Sequence, residues 1–139
     1  MAQRKPLFGK TWVITTGCGS LHITVNEKPT GNIYELFSRL GKGGGCAASQ
    51  CEAIGRLVSR CLKHDIPVKE IIMDLSGISC HSPHTDPDGA KTLSCADGIS
   101  QALRLHSEEI AKEKTVKEQE NPARLATEKA AFRAALPTK

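Results

Sequence analysis

Six cysteines in a chain of 139 residues are the side chains here best suited to chemistry, and their neighbours sort them into two groups. Cys18 stands in the turn signal Gly-Cys-Gly-Ser, and Cys46 ends the glycine run Gly43 to Gly45. Cys80 lies in Ile-Ser-Cys-His-Ser-Pro, and Cys95 sits where a helical pattern begins. Cys51 and Cys61 instead share an apolar stripe with Ile54 and Val58, where a buried cysteine behaves as a small hydrophobe. Four thiolates from separate loops are what a closed tetrahedral zinc site needs. Cys46 and Cys95 would each approach such a metal from a helix N-terminus, where free N–H groups and the macrodipole favour the thiolate. Spacing gives no support, because there is no CxxC pair of the kind that zinc ribbons and thioredoxin-type dithiols display. On residue types alone, a metal site and four reduced, half-buried thiols stand level. His81 and His84 flank Cys80 and are either substitute ligands or members of a solvated loop. A further use of a thiol is Cys46 as a nucleophile, with His22 or His81 as general base. The glycine run is not a phosphate loop, since Lys42 precedes the glycines instead of following them.

Composition narrows the setting. The length suits one domain with one core. No stretch reaches the ~18 apolar residues of a membrane span, and no apolar segment follows the basic N-terminus, so no secretory signal is expected. A soluble cytoplasmic protein is the default, and there six cysteines point to metal, redox chemistry or burial in preference to disulfides. The net charge of +4 is spread along the chain, with one Trp, one Tyr and three Phe. Single-strand nucleic-acid platforms use more aromatics and a concentrated basic face, so nucleic acid is not an expected partner.

The elements that must position the thiols follow from periodicity. Thr11–Thr16 and Leu21–Asn26 are rich in β-branched residues around a turn, and read as a hairpin. "IYELFSRLG" reads as a third antiparallel strand in preference to a short helix. From Ala47 to His64, Cys51, Ile54, Leu57, Val58, Cys61 and Leu62 recur at helical spacing. A second helix runs from Pro67 to Ser76 and closes at Gly77. "SCHSPHTDPDGAKTLS" reads as loop, and Ser94 with Asp97 fits a capping box opening a third helix through Ile110. The fold expected is therefore α+β: a small antiparallel meander of about three strands packed on two to three helices. From Ser107 the composition turns to Ala, Glu and Lys, with seven basic and six acidic residues. Residues 1–106 are read as the domain and 107–139 as a charged helical tail, partly frayed, with Leu125, Ala126, Ala130, Phe132 and Leu136 on a marginal apolar face.

Four segments in order, "TGCGSLHITVNE", "GKGGGCAASQCEAIGRLVSRCL", "EIIMDLSGISC" and "LSCADGISQAL", resemble the TSCPD domain. That domain is known from the C-terminal part of adenosylcobalamin-dependent (class II) ribonucleotide reductases and as small free-standing proteins. The likeness runs from about Gly9 to Leu105. Its name motif corresponds to Thr92-Leu93-Ser94-Cys95-Ala96-Asp97, with Leu93 inserted and Ala96 in the place of proline. The resemblance implies recurring cysteines at Cys18, Cys46, Cys80 and Cys95, hence zinc, or an iron–sulfur cluster on the same thiols. It implies an accessory or interaction module working with a ribonucleotide reductase or another protein of nucleotide metabolism and DNA synthesis. A chain of this size cannot enclose cobalamin and a ribonucleotide, so a complete reductase is not expected and adenosylcobalamin is not expected to bind this chain alone. A thiol-based redox enzyme or redox partner using Cys46 is the alternative function, and enzyme status stays open.

Overall fold

The computed structural model describes residues 5–41 and 45–120. Strands β1 (Phe8–Thr16), β2 (Gly19–Glu27) and β3 (Ile33–Leu40) form an antiparallel sheet in that order. Helices α1 (Gly45–Lys63) and α2 (Val68–Leu75) follow, then a minimal hairpin of β4 (His84–Thr85) and β5 (Lys91–Thr92), then α3 (Cys95–Glu120). The α+β architecture expected from the periodicity is the one the chain adopts. The chain divides into two units after Ser107. The first carries the sheet, the hairpin, α1, α2 and α3 up to Ser107; in the second, residues 108–120 are helical.

Alternation along the strands makes the core. Leu21, Ile23 and Val25 of β2 are fully buried, while His22 between them is exposed. The register sets Ile23 between Trp12 and Ser38, and Leu21 between Ile14 and Leu40, so one sheet face is mainly apolar around the buried centre of β2. A bulge between Asn26 and Glu27 pairs Glu27 with Ile33 and turns Ile33 inward. That bulge is why "IYELFSRLG" lacks strict alternation yet is a strand. Ile99, Ala102 and Leu103 of α3, spaced three and four apart, complete the core at 0% exposure. Each Leu or Ile so buried contributes about 1.5–3 kcal/mol.

The outer edge of β3 is closed by α1. Gly55 lets the helix come close, since a Cβ there would stand 3.2 Å from the Ser38 hydroxyl. The Ser59 hydroxyl accepts from the Leu36 N–H at 3.0 Å and donates to the Leu36 carbonyl at 2.8 Å. Ser38 donates to the Cys51 carbonyl at 2.6 Å. Serines of α1 and β3 thus take the place of a fourth strand.

Three details differ from the sequence reading. The buried line of α1 is Cys51, Gly55, Val58 and Leu62, which leaves Leu57 65% exposed and turned away from the core. The polar stretch from Ser79 to Leu93 is not all loop: Asp86 N–H donates to Ala90 O and Gly89 N–H to Asp86 O, and this turn closes the β4–β5 hairpin. Helix α3 runs ten residues past Ile110, because Ala, Glu and Lys sustain helix after the apolar stripe has ended. The apolar positions Leu125 to Leu136 lie outside the described residues.

Candidate functional site

Two of the other loop cysteines, Cys80 and Cys95, lie within electrostatic reach of Cys18, and the Thr92–Asp97 segment organises the backbone around them. Ser94 caps α3: its hydroxyl accepts from the Asp97 N–H at 3.1 Å and donates to the Ile78 carbonyl. The Asp97 carboxylate does not turn back to Ser94, as a full capping box would require. It accepts from the Gly77 and Leu93 N–H groups, each at 3.0 Å, and from the Gln101 amide at 3.0 Å. Leu93 in turn accepts from the Cys80 N–H at 3.0 Å. One buried carboxylate therefore fixes the segments on both sides of Cys80 against the helix that begins with Cys95.

The β1–β2 turn reaches the same place. A Cβ on Gly17 would lie 1.8 Å from the Ser82 carbonyl oxygen, so only glycine lets the turn rest on the segment after Cys80. Cys18, the next residue, is exposed, and its N–H donates to the Thr16 hydroxyl. Its thiol is pushed above its ordinary range by desolvation, then by the charges of Cys95 and Cys80 and a hydrogen bond with Cys95. The Cys80 sulfur accepts the Ser82 N–H at 3.3 Å, a bond that supports a thiolate. Cys95 is the first residue of α3, at the positive end of the helix.

Cys51 joins this group from below. It is fully buried, as the apolar stripe implies, but its thiol is not simply packed among hydrocarbon. It is pushed up to about 12 by burial, then by the charge of Cys95, a hydrogen bond with Cys95, and the charge of Cys18. Cys46 is exposed in the first turn of α1, beside residues 42–44, which lie outside the description. It is not among the groups that act on Cys18 or Cys51. Cys61 is half-buried. His84 pairs with Asp86 at 3.0 Å, and His81 is exposed. Among the described residues, no group of three or more His, Cys, Asp or Glu side chains is placed to hold a metal ion as it stands. A groove of about 620 Å³ between β3 and α1, bordered by Phe37, Leu57 and Arg60, is lined by none of these thiols.

The raised Cys51 thiol has a consequence for the metal-free protein. The folded state holds a proton that the unfolded chain releases near pH 9, so stability is full below pH 9 and falls as pH rises toward 12. The slope should approach about 1.4 kcal/mol per pH unit for each such thiol. Urea titrations of metal-free protein at several alkaline pH values measure it. A Cys51→Ala chain should show a shallower decline, and an unchanged slope would remove Cys51 as its source.

The sequence profile of the TSCPD domain matches residues 3–107. The chain belongs to the TSCPD domain family. The match takes in every element of the first unit, including all six cysteines. In this TSCPD domain the Thr92–Asp97 motif acts through Ser94 and Asp97 as a brace at the start of α3. Comparison with curated proteins and with solved structures returned no match. No helix among the described residues is long and apolar enough to cross a membrane.

Sequence reasoning missed two parts of this arrangement. The helical stripe identifies Cys51 as buried but not that Cys95 is what it meets. A polar cluster of Trp12, Glu27 and His106 also went unread: the indole N–H donates to His106 Nδ1 at 3.1 Å, and Nε2 meets the Glu27 carboxylate at 2.7 Å. His106, three residues after Leu103 on a buried stripe, was the available signal.

Proposed function

We propose that this TSCPD domain is a metal-stabilised accessory module, holding one zinc ion through Cys18, Cys46, Cys80 and Cys95. Its partner would be a ribonucleotide reductase or another protein of nucleotide metabolism, in keeping with the family's occurrence at the C-terminus of class II reductases. One observation carries the metal reading: thiols from three distant segments lie within one another's electrostatic reach. Their mutual repulsion as thiolates is what a divalent cation would relieve. The donor chemistry fits, since cysteine-only sets suit structural zinc. The Ser82 N–H at Cys80 and the α3 terminus at Cys95 are the outer supports such ligands use. Bound zinc would supply folding energy and no reaction step, which agrees with a site built as a brace. Cys46, the fourth cysteine the family resemblance implies, would complete the set, and Cys51 is its rival from within the same helix.

Elemental analysis of purified protein should give about one zinc per chain. A strong chelator should lower the melting temperature, by an amount well beyond that of surface mutations. Cys18→Ser, Cys46→Ser, Cys80→Ser and Cys95→Ser should each lose the metal, while Cys51→Ala keeps it. Protein that carries no metal as purified and melts identically with and without chelator would end this reading. Retention by Cys46→Ser with loss from Cys51→Ala would transfer the fourth position to Cys51. Visible absorbance of anaerobically purified protein distinguishes an iron–sulfur cluster on the same thiols.

A further inference from the structure

The two edges of the sheet are treated very differently, and this points to an interface. Gly41 N–H donates to Ser20 O, so the even-numbered residues of β2 bond toward β3 and the odd-numbered ones toward β1. Through the β1–β2 register, residues 8, 10, 12, 14 and 16 of β1 then bond inward. The N–H and C=O groups of Gly9, Thr11, Val13 and Thr15 point away from the sheet. All four residues are exposed, and no backbone partner is recorded for them among the described residues. The corresponding groups of Leu36 on β3 are both met by Ser59. Natural sheets normally blunt a long edge with charge, proline or a covering element. β1 is nine residues long with Lys10 as its single charge, and it leaves Phe8 79% and Val13 61% exposed.

We propose that β1 is a dimerisation edge, pairing antiparallel with β1 of a second copy to make a continuous six-stranded sheet. The register that overlays the whole strand sets residue 8 opposite residue 16 of the second copy, with the two-fold axis at Trp12. Four outward pairs then form, Gly9 with Thr15 and Thr11 with Val13 and their symmetry mates, giving about eight backbone hydrogen bonds. This register carries no charge conflict, because each Lys10 faces an Ile14 and no like charges meet. Phe8 lies beside Thr16 and Ile14 of the other copy, which covers the most exposed aromatic ring of the strand. The two Trp12 residues become direct cross-strand neighbours, so the one tryptophan of each chain reports the event. The proposal does not depend on the metal reading.

Light scattering of the full chain across low to high micromolar concentration tests it, together with amide exchange and tryptophan emission. The expected result is a mass rising to twice that of the chain, with a concentration-dependent shift in Trp12 emission. The amides of Gly9, Thr11, Val13 and Thr15 should become protected only at high concentration. Val13→Pro removes an outward N–H without touching the β2 ladder, and should weaken association at least tenfold. Should that variant fail to fold, Val13→Lys adds one positive charge from each copy near the two-fold axis and should have the same effect. A chain that stays monomeric with those four amides exchanging freely overturns the proposal. So does a dimer that survives Val13→Lys undiminished.

Discussion

Asp97→Ala should lower the stability of the domain by about 3–5 kcal/mol, because three hydrogen bonds to one carboxylate are lost at once, Gln101 alone keeping a second acceptor in Lys91 O, and each orphaned donor costs about 1–3 kcal/mol. In a unit of this size that is a fall in melting temperature of roughly 12 °C or more. Asp97→Asn should recover part of the loss, since one oxygen can still accept while its amide group confronts an N–H. Thermal unfolding followed by circular dichroism measures both. The same variant separates bracing from ligation. Asp97 touches no thiol, yet its removal should loosen Cys80 through Leu93, visible as faster alkylation of Cys80 in protein still folded at low temperature. An Asp97→Ala protein that melts within a few degrees of its parent would show that the brace carries little.

His106→Leu should be nearly as damaging, at about 2–4 kcal/mol. The indole N–H of Trp12 can only donate, so His106 Nδ1 accepts and Nε2 carries the proton it gives to Glu27. Leucine fills the space but leaves a part-buried indole donor and a charged carboxylate without their partner. The cluster ties β1, β2 and α3 together across sequence separations of 94 and 79 residues, so tertiary order should suffer more than helix content. Trp12 is the built-in reporter: its emission should move to longer wavelength in the variant before any global unfolding. His106→Gln, which can both donate and accept, should restore part of the loss. Equal stability of His106→Leu and the parent would show the cluster to be incidental.

What the sequence made legible was whatever is local. The hairpin, the α1 stripe and the Ser94 cap each follow from spacing within one turn or one element. Sorting the cysteines by company separated loop thiols from helical ones, and Cys18 lies within the electrostatic reach of Cys80 and Cys95. It could not show that Cys51 meets Cys95, because a helical stripe tells which side is buried and not what is opposite. Nor could it show where Asp97 reaches. Its acceptor oxygens go to backbone N–H groups of Gly77 and Leu93, and main-chain amides carry no residue-type signature. Leu57 was misplaced for a related reason. Gly55 and Ser59 form the close contact with β3, so the helix turns a small-residue side to the sheet and leaves a large apolar side chain in solvent.

That small-residue contact also works as a ruler. The Ser59 hydroxyl grips both polar groups of Leu36, and a slip of one residue would carry it about 1.5 Å along the axis and out of reach. Cys51 lies eight residues back, roughly 12 Å along the same rod. The depth at which α1 presents its sulfur end to the thiol cluster is thus metered from a serine two turns away that never approaches it.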